Sequence, residues 1–100
     1  MPTAKINPDR FVKIRYSRVK RGILGIKIEA ARAIDIYSVP ESQYDRWRNK
    51  REYEGAIGHL RRRSVNFEVN SGPEFNEPWY LILENHNDSE VRADYEVYER

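Results

Sequence analysis

The sequence contains no cysteine, so neither a disulfide framework nor thiolate chemistry is available to it. It also lacks long apolar runs: the longest span only a few residues, whereas a membrane helix needs about 20. The first residues, Met1 to Lys5, are not followed by an apolar stretch, as they would be in a signal peptide. We therefore expect a soluble cytoplasmic protein.

Histidine and glycine are also scarce. The two histidines, His59 and His86, each stand in a polar segment, and neither has a second ligand at the spacing of a zinc site. The glycines do not form a phosphate-binding loop. Carboxylate pairs such as Asp94 and Glu96 fall on the polar face of a predicted strand, where both stay ionised. We expect no enzyme activity, no metal and no cofactor.

The last third of the chain carries the clearest structural pattern. Val91, Ala93, Tyr95 and Val97 alternate with polar residues, which is typical of a half-buried strand. A second strand pattern, 79–83, precedes a polar turn over residues 84–90. This arrangement predicts an antiparallel hairpin whose two apolar rows lie side by side.

Four further strands are predicted from the same alternation, over residues 11–19, 24–30, 33–39 and 61–69. Gly25 lies inside the second of these, which indicates a bulge or a close backbone approach. The short run Ala30 to Ala33 is predicted to be a tight connection between strands. Pro40 ends the following strand, because proline has no N–H to donate.

One segment has a helical pattern. Residues 41–49 fit a short helix or helical turn with Ser42 as its N-cap. Tyr44 and Trp47 are three residues apart and so share one face of that helix.

The predicted fold class is therefore all-β. Regular turn signals favour an antiparallel β-sandwich or small barrel of about six to eight strands. We expect residues 1–9 to form an N-terminal arm and residues 10–100 to form a single β-sandwich domain.

Charge is unevenly distributed along the chain. Residues 1–63 carry 16 bases and 7 acids, a net charge of +9, and residues 64–100 carry 2 bases and 9 acids, a net charge of −7. The opposite charges can pair across the sheet of one molecule. Alternatively, the basic part of the chain can attract an acidic partner. Pairing between copies would give a weak homodimer that dissociates with salt.

The strongest candidate binding segment is Tyr44 to Arg63, in which seven bases and three acids are interleaved with aromatic residues. Its arginines and aromatics suit a structural lid held by cation–π contacts, a protein interface, or a nucleotide site. The candidate partner-binding residues are Tyr44, Arg46, Trp47, Arg48, Arg51, Tyr53, Arg61 and Arg62.

Several short motifs in the chain recur in one known family. They are the Arg21-Gly22 turn, the Tyr53-Glu54-Gly55 loop, the Arg62-Arg63-Ser64-Val65 strand entry, the Trp79 to Leu83 strand and the Val91 to Val97 strand. With these, the chain from about residue 19 onward resembles the small β-sandwich domain of unknown function that accompanies TIR domains in some bacterial proteins. The closing segment also resembles GOLD-like and pre-peptidase C-terminal β-sandwich domains.

The resemblance implies recognition rather than catalysis. We expect a non-enzymatic interaction or sensing module that binds a protein partner and serves a larger assembly. One alternative is nucleotide or single-stranded nucleic-acid binding through residues 44–63. Another is a carbohydrate-binding β-sandwich.

Overall fold

The computed structural model describes residues 2–18, 23–49, 57–70 and 76–99, and within them the chain is almost entirely strand. The strands are β1 (Thr3–Ile6), β2 (Arg10–Tyr16), β3 (Ile23–Pro40), β4 (Ile57–Asn70), β5 (Trp79–Asn85) and β6 (Val91–Glu99). A 3-10 turn, Glu41–Gln43, leads into the short helix α1, Tyr44–Arg48. The predicted all-β class with one short helix is confirmed. In the described part of the chain, no helix is both long enough and apolar enough to cross a membrane.

The six strands form one antiparallel sheet in the order β1-β6-β3-β5-β2, and β4 pairs with the other edge of β3. The two end strands of this order, β1 and β2, contact each other. They can do so because the sheet curls on itself, which gives a half-barrel and corresponds to the small-barrel form of the prediction.

Strand β3 organises the sheet because its 18 residues pair with two strands along one edge. Its first part, Leu24–Ala30, pairs with β6, and its last part, Asp35–Pro40, pairs with β5. We call residues 31–34, where the neighbour changes from β6 to β5, the fork.

The tight connection predicted at Ala30 to Ala33 is wrong, because β3 passes through these residues as a continuous strand. The register between β3 and β4 shifts between Glu29 and Ile34. Such an irregularity bends a strand without ending it. The alanines that suggested a turn therefore lie in a bent strand.

The hairpin pairing predicted for the last third is also wrong. Strands β5 and β6 pair with different parts of β3, because β3 is long enough to accept both. Their apolar rows nevertheless face the same core. The fully buried members of these rows are Trp79, Leu81, Leu83, Val91 and Ala93. Burial of a large apolar side chain contributes about 1.5–3 kcal/mol, so the two rows stabilise one shared core although their strands do not pair with each other.

The segment predicted to be an N-terminal arm, residues 1–9, contains a strand. Thr3–Ile6 forms the edge strand β1, which pairs with β6, and Ile6 is fully buried. The backbone N–H of Tyr95 also donates to the carbonyl oxygen of Pro2 at 3.0 Å.

Gly25 lies in β3 directly opposite Tyr98 of β6. A Cβ atom at this position would overlap the Tyr98 ring. The bulge or close backbone approach predicted at Gly25 is therefore replaced by the close approach of an aromatic ring that covers the glycine.

Candidate functional site

Helix α1 covers the outer face of β3 and β5, and Trp47 is the side chain that holds it there. Trp47 is only 9% exposed. Its ring lies edge-on to Phe11 at 4.9 Å between centroids and stacks with Tyr44 at 6.0 Å. These contacts form a second small core with the fully buried Val39 and Ile82.

A lysine completes the contacts of Tyr44. Lys13 Nζ lies 4.2 Å from the centroid of the Tyr44 ring and 5.0 Å from that of Tyr80. Cation–π contacts of this kind stabilise a surface element by about 0.5–1 kcal/mol at exposed sites. Tyr44 and Trp47 therefore help to hold α1 on the sheet, and their part in partner binding stays a prediction.

The arginines predicted in the same segment lie in two places. Arg46 and Arg48 are exposed on α1, and Arg61 and Arg62 are exposed on β4. Two further candidates, Arg51 and Tyr53, lie outside the described residues. The structure thus joins the two described aromatics of the segment, whereas its described arginines belong to separate elements.

The N-cap predicted at Ser42 is wrong. Ser42 lies inside the 3-10 turn, α1 begins after Gln43, and neither cap position makes a side-chain capping bond. Instead, the backbone N–H of Ser42 donates to Glu77 Oε1 at 2.7 Å. Hydrogen bonds from the backbone and side chain of Ser42 lower the pKa of the Glu77 carboxyl. A carboxylate distant in sequence therefore serves as the cap.

The most concentrated polar chemistry of the described chain lies beside the fork. Asp35 of β3 and Glu84 of β5 are direct partners in the sheet register, so their side chains leave on the same face. His86 follows Glu84 by two residues. Its Nε2 lies 2.8 Å from Glu84 Oε1 and 3.1 Å from Asp35 Oδ2. We call these three residues the fork cluster.

A bulge in β4 holds Asp35 in position. Two β4 residues, Leu60 and Arg61, stand opposite Asp35 in the register. Arg61 adopts a positive φ of 54°, which is uncommon for a residue other than glycine. Its backbone N–H donates to Asp35 Oδ1 at 2.8 Å. One oxygen of Asp35 thus satisfies the bulge, and the other faces His86.

Two asparagines hold the segment on either side of His86. Asn85 is fully buried, and its Nδ2 donates to the carbonyl oxygens of Ile6 and Ser89 at 2.8 and 2.9 Å. Its Oδ1 accepts bonds from the backbone and the side chain of Asn87. Asn87 Nδ2 also donates to the carbonyl oxygen of Ala33, inside the fork. The position of His86 is therefore set by buried and half-buried hydrogen bonds.

A cavity of about 530 Å³ opens beside the fork cluster. Its lining residues are Ala33, Ile34, Asp35, Arg61, His86 and Asn87. The side chain of Asp35 is 12% exposed, that of Glu84 is 25% exposed and that of His86 is 59% exposed. The cluster therefore runs from an almost buried carboxylate to an imidazole that faces solvent.

The charges of the cluster are not balanced when the imidazole is neutral. Like charges directly opposite each other in a sheet destabilise it, and Asp35 and Glu84 have this relationship. A positive charge at or near His86 would compensate both acids.

The sequence placed His86 alone in a polar segment, whereas in the structure two carboxylates reach its Nε2. Asp35 comes from a distant part of the sequence, and only the pairing of β3 with β5 brings it close. The local signal was Glu84 two residues before His86 at the end of a strand, a spacing that places both on one face. The side chain of His59 lies outside what the structure describes.

Comparison with protein-family models and with curated proteins gives no match for this chain. The likeness to the TIR-associated domain stays a prediction that rests on short motifs.

Proposed function

We propose that this chain is a non-enzymatic interaction module that binds an extended, acidic segment of a protein partner along β4. The observation that carries the proposal is an edge of this strand along which no described strand pairs. β4 has 14 residues and pairs with β3 on one side, and no described strand pairs with its other side. An unpaired edge presents backbone N–H and C=O groups that can take up another strand.

The charges on β4 favour an acidic partner. Arg61, Arg62 and Arg63 are consecutive and all exposed. The planar guanidinium group of arginine can donate two parallel hydrogen bonds to one carboxylate. This geometry favours glutamate and aspartate side chains on the incoming strand. Lysine or arginine on that strand would be repelled.

The burial of aromatic residues disfavours the nucleic-acid and carbohydrate alternatives. Single-stranded nucleic acid is bound on exposed aromatic rings that stack with bases. Every aromatic side chain whose burial is described is half-buried or buried, and Trp47 is packed against the sheet. Among the residues whose burial is described, the exposed arginines therefore lack an exposed aromatic stacking partner, and a protein segment suits them better.

The test uses a fluorescent peptide of alternating glutamate and threonine as the probe, with binding measured by anisotropy. We expect saturable binding that is lost when alternate peptide nitrogens are methylated, because methylation removes the N–H groups that a strand needs. The variant Arg62→Glu/Arg63→Glu should raise the Kd for the peptide by about tenfold or more, because a loss of about 1.4 kcal/mol of binding free energy raises Kd tenfold. Arg61 is left unchanged because its backbone belongs to the bulge.

The matched control is Arg46→Glu/Arg48→Glu, which reverses two exposed arginines on α1 and should leave peptide binding unchanged. Equal binding of the methylated peptide would contradict strand addition. Binding of an oligothymidylate, together with no binding of the acidic peptide, would instead favour the nucleic-acid function.

A second copy of the chain is also a candidate partner. The acidic residues Asp88, Glu90, Glu96 and Glu99 are exposed on β6 and the loop before it. Contact between this acidic region and the arginines of another molecule would give a weak homodimer that dissociates as salt screens the charges. Sedimentation at low and high salt measures this, and a monomer at both salt concentrations would contradict it.

A further inference from the structure

We propose that the fork cluster binds a divalent transition-metal ion, with Zn²⁺ as the reference case. The three ligand atoms are a carboxylate oxygen of Asp35, a carboxylate oxygen of Glu84 and Nε2 of His86, and all lie within 4.8 Å of one another. Histidine and carboxylate side chains are common zinc ligands, at bond lengths of about 2.0–2.2 Å.

The two separations that involve His86 Nε2 are close to those that a metal site requires. His86 Nε2 lies 2.8 Å from Glu84 Oε1 and 3.1 Å from Asp35 Oδ2. Ligands at the corners of a tetrahedron around zinc are about 3.3 Å apart, given bonds of about 2.0 Å. Opening the two contacts of His86 Nε2 by a few tenths of an ångström would bring them to the spacing of ligands around an ion.

Each ligand is already held by a different part of the fold. Asp35 is held by the backbone N–H of Arg61, which occupies Oδ1 and leaves Oδ2 for the ion. Glu84 is fixed in register opposite Asp35. The flanking residues Asn85 and Asn87 anchor the backbone on both sides of His86. Outer hydrogen bonds of this kind orient ligands and raise metal affinity.

The adjoining cavity is an independent feature that suits a metal site. It has a volume of about 530 Å³ and is lined by two of the three ligands, Asp35 and His86. It gives an ion a path from solvent and leaves room for water at the coordination positions that the protein does not fill. Three protein ligands and one water is the usual arrangement at an open zinc site.

The charge and the donor atoms together indicate the type of ion. A divalent cation bound between the two carboxylates would relieve the repulsion between Asp35 and Glu84. An imidazole nitrogen favours Zn²⁺ and its neighbours in the first transition series, with Mn²⁺ bound less tightly. Ca²⁺ and Mg²⁺ prefer shells made of oxygen and should bind weakly.

The first experiment is calorimetric titration of the untagged, chelator-treated protein with ZnCl₂. We expect one ion per chain and a rise in the melting temperature, because an ion bound only by the folded state stabilises it. His86→Gln and Glu84→Gln should each weaken Zn²⁺ binding by about tenfold or more. Asp88→Asn is the matched control, because it removes a carboxylate from the same loop whose side chain is 94% exposed, and it should bind Zn²⁺ as the wild type does.

The second experiment needs no variant and so does not depend on how the substitutions fold. Paramagnetic Mn²⁺, added in small amounts, should broaden the amide signals of residues 33–36, 60–62 and 84–88 before any others. The proposal is overturned if no ion binds, if His86→Gln binds Zn²⁺ as tightly as the wild type, or if broadening centres elsewhere. Equal affinity for Ca²⁺ and Zn²⁺ would also overturn it, because the imidazole would then play no part.

Discussion

The backbone N–H of Arg61 donates to Asp35 Oδ1 at 2.8 Å, so a carboxylate of β3 completes the bulge of β4. The same carboxylate lies directly opposite Glu84. Asp35 thus has a stabilising contact with the bulge, a second contact with His86 and an unfavourable neighbour in Glu84. The balance between them can be measured.

Asp35→Ala should destabilise the protein by about 1–3 kcal/mol, because a half-buried N–H loses its acceptor. Relief of the repulsion from Glu84 offsets less than about 1 kcal/mol of this. Asp35→Asn keeps an oxygen for the Arg61 N–H and should therefore cost less than Asp35→Ala. Urea unfolding of both variants measures the difference. An alanine variant as stable as the wild type would mean that the repulsion from Glu84 is as large as the stabilisation from the hydrogen bond.

Asn85 is expected to be the polar side chain most sensitive to substitution. Asn85→Ala removes the bonds to the carbonyl oxygens of Ile6 and Ser89 and the acceptor for Asn87. Buried groups left without partners should make the change cost about 2–4 kcal/mol. The control Asn66→Ala, at an exposed position of β4, should change the free energy of unfolding by less than about 0.5 kcal/mol. Similar values for the two variants would show that water replaces the network.

The strands were predictable from sequence because alternation is a local property. Five of the six strands follow from it, and the exception, β1, is a short edge segment between prolines. The pairing of the strands was not predictable in the same way. The alternation around Ala30 and Arg32 weakens where β3 bends, and this concealed a single strand long enough to pair with both β5 and β6.

The fork cluster was hidden for a related reason. Asp35 and Glu84 each occupy the outward face of a strand, a position that in sequence is typical of a solvated carboxylate. Only the long-range pairing of β3 with β5 makes them neighbours of His86. By contrast, the shared face of Tyr44 and Trp47 depends on residues three apart, and the structure stacks the two rings.

The cap provided by Glu77 predicts a pH dependence of stability. Hydrogen bonds from Ser42 lower the pKa of Glu77 from its ordinary value of 4.5. A carboxyl whose pKa is lower in the folded state stabilises the protein above its unfolded pKa, and this contribution is lost as the pH falls through the folded pKa. Glu77→Gln should therefore melt at a slightly lower temperature than the wild type at pH 7, and the difference should vanish below the folded pKa. A difference that persists at low pH would exclude the charge as its cause.

Trp47 separates the structural and binding interpretations of the segment from Tyr44 to Arg63. Because the Trp47 ring packs against Phe11 and Tyr37, Trp47→Ala should cost roughly 2–4 kcal/mol, near the lower end for removal of a large buried aromatic. Trp47→Phe should retain much of this stability. Neither variant should weaken binding of the acidic peptide to β4 at a temperature where both remain folded. Thermal melts and anisotropy on the same samples test both statements.

If Trp47→Ala leaves the melting temperature unchanged but abolishes oligothymidylate binding, the ring stacks on bases and the segment is a nucleic-acid site. If the variant is destabilised and peptide binding is unchanged, Trp47 holds α1 on the sheet and recognition belongs to the arginines.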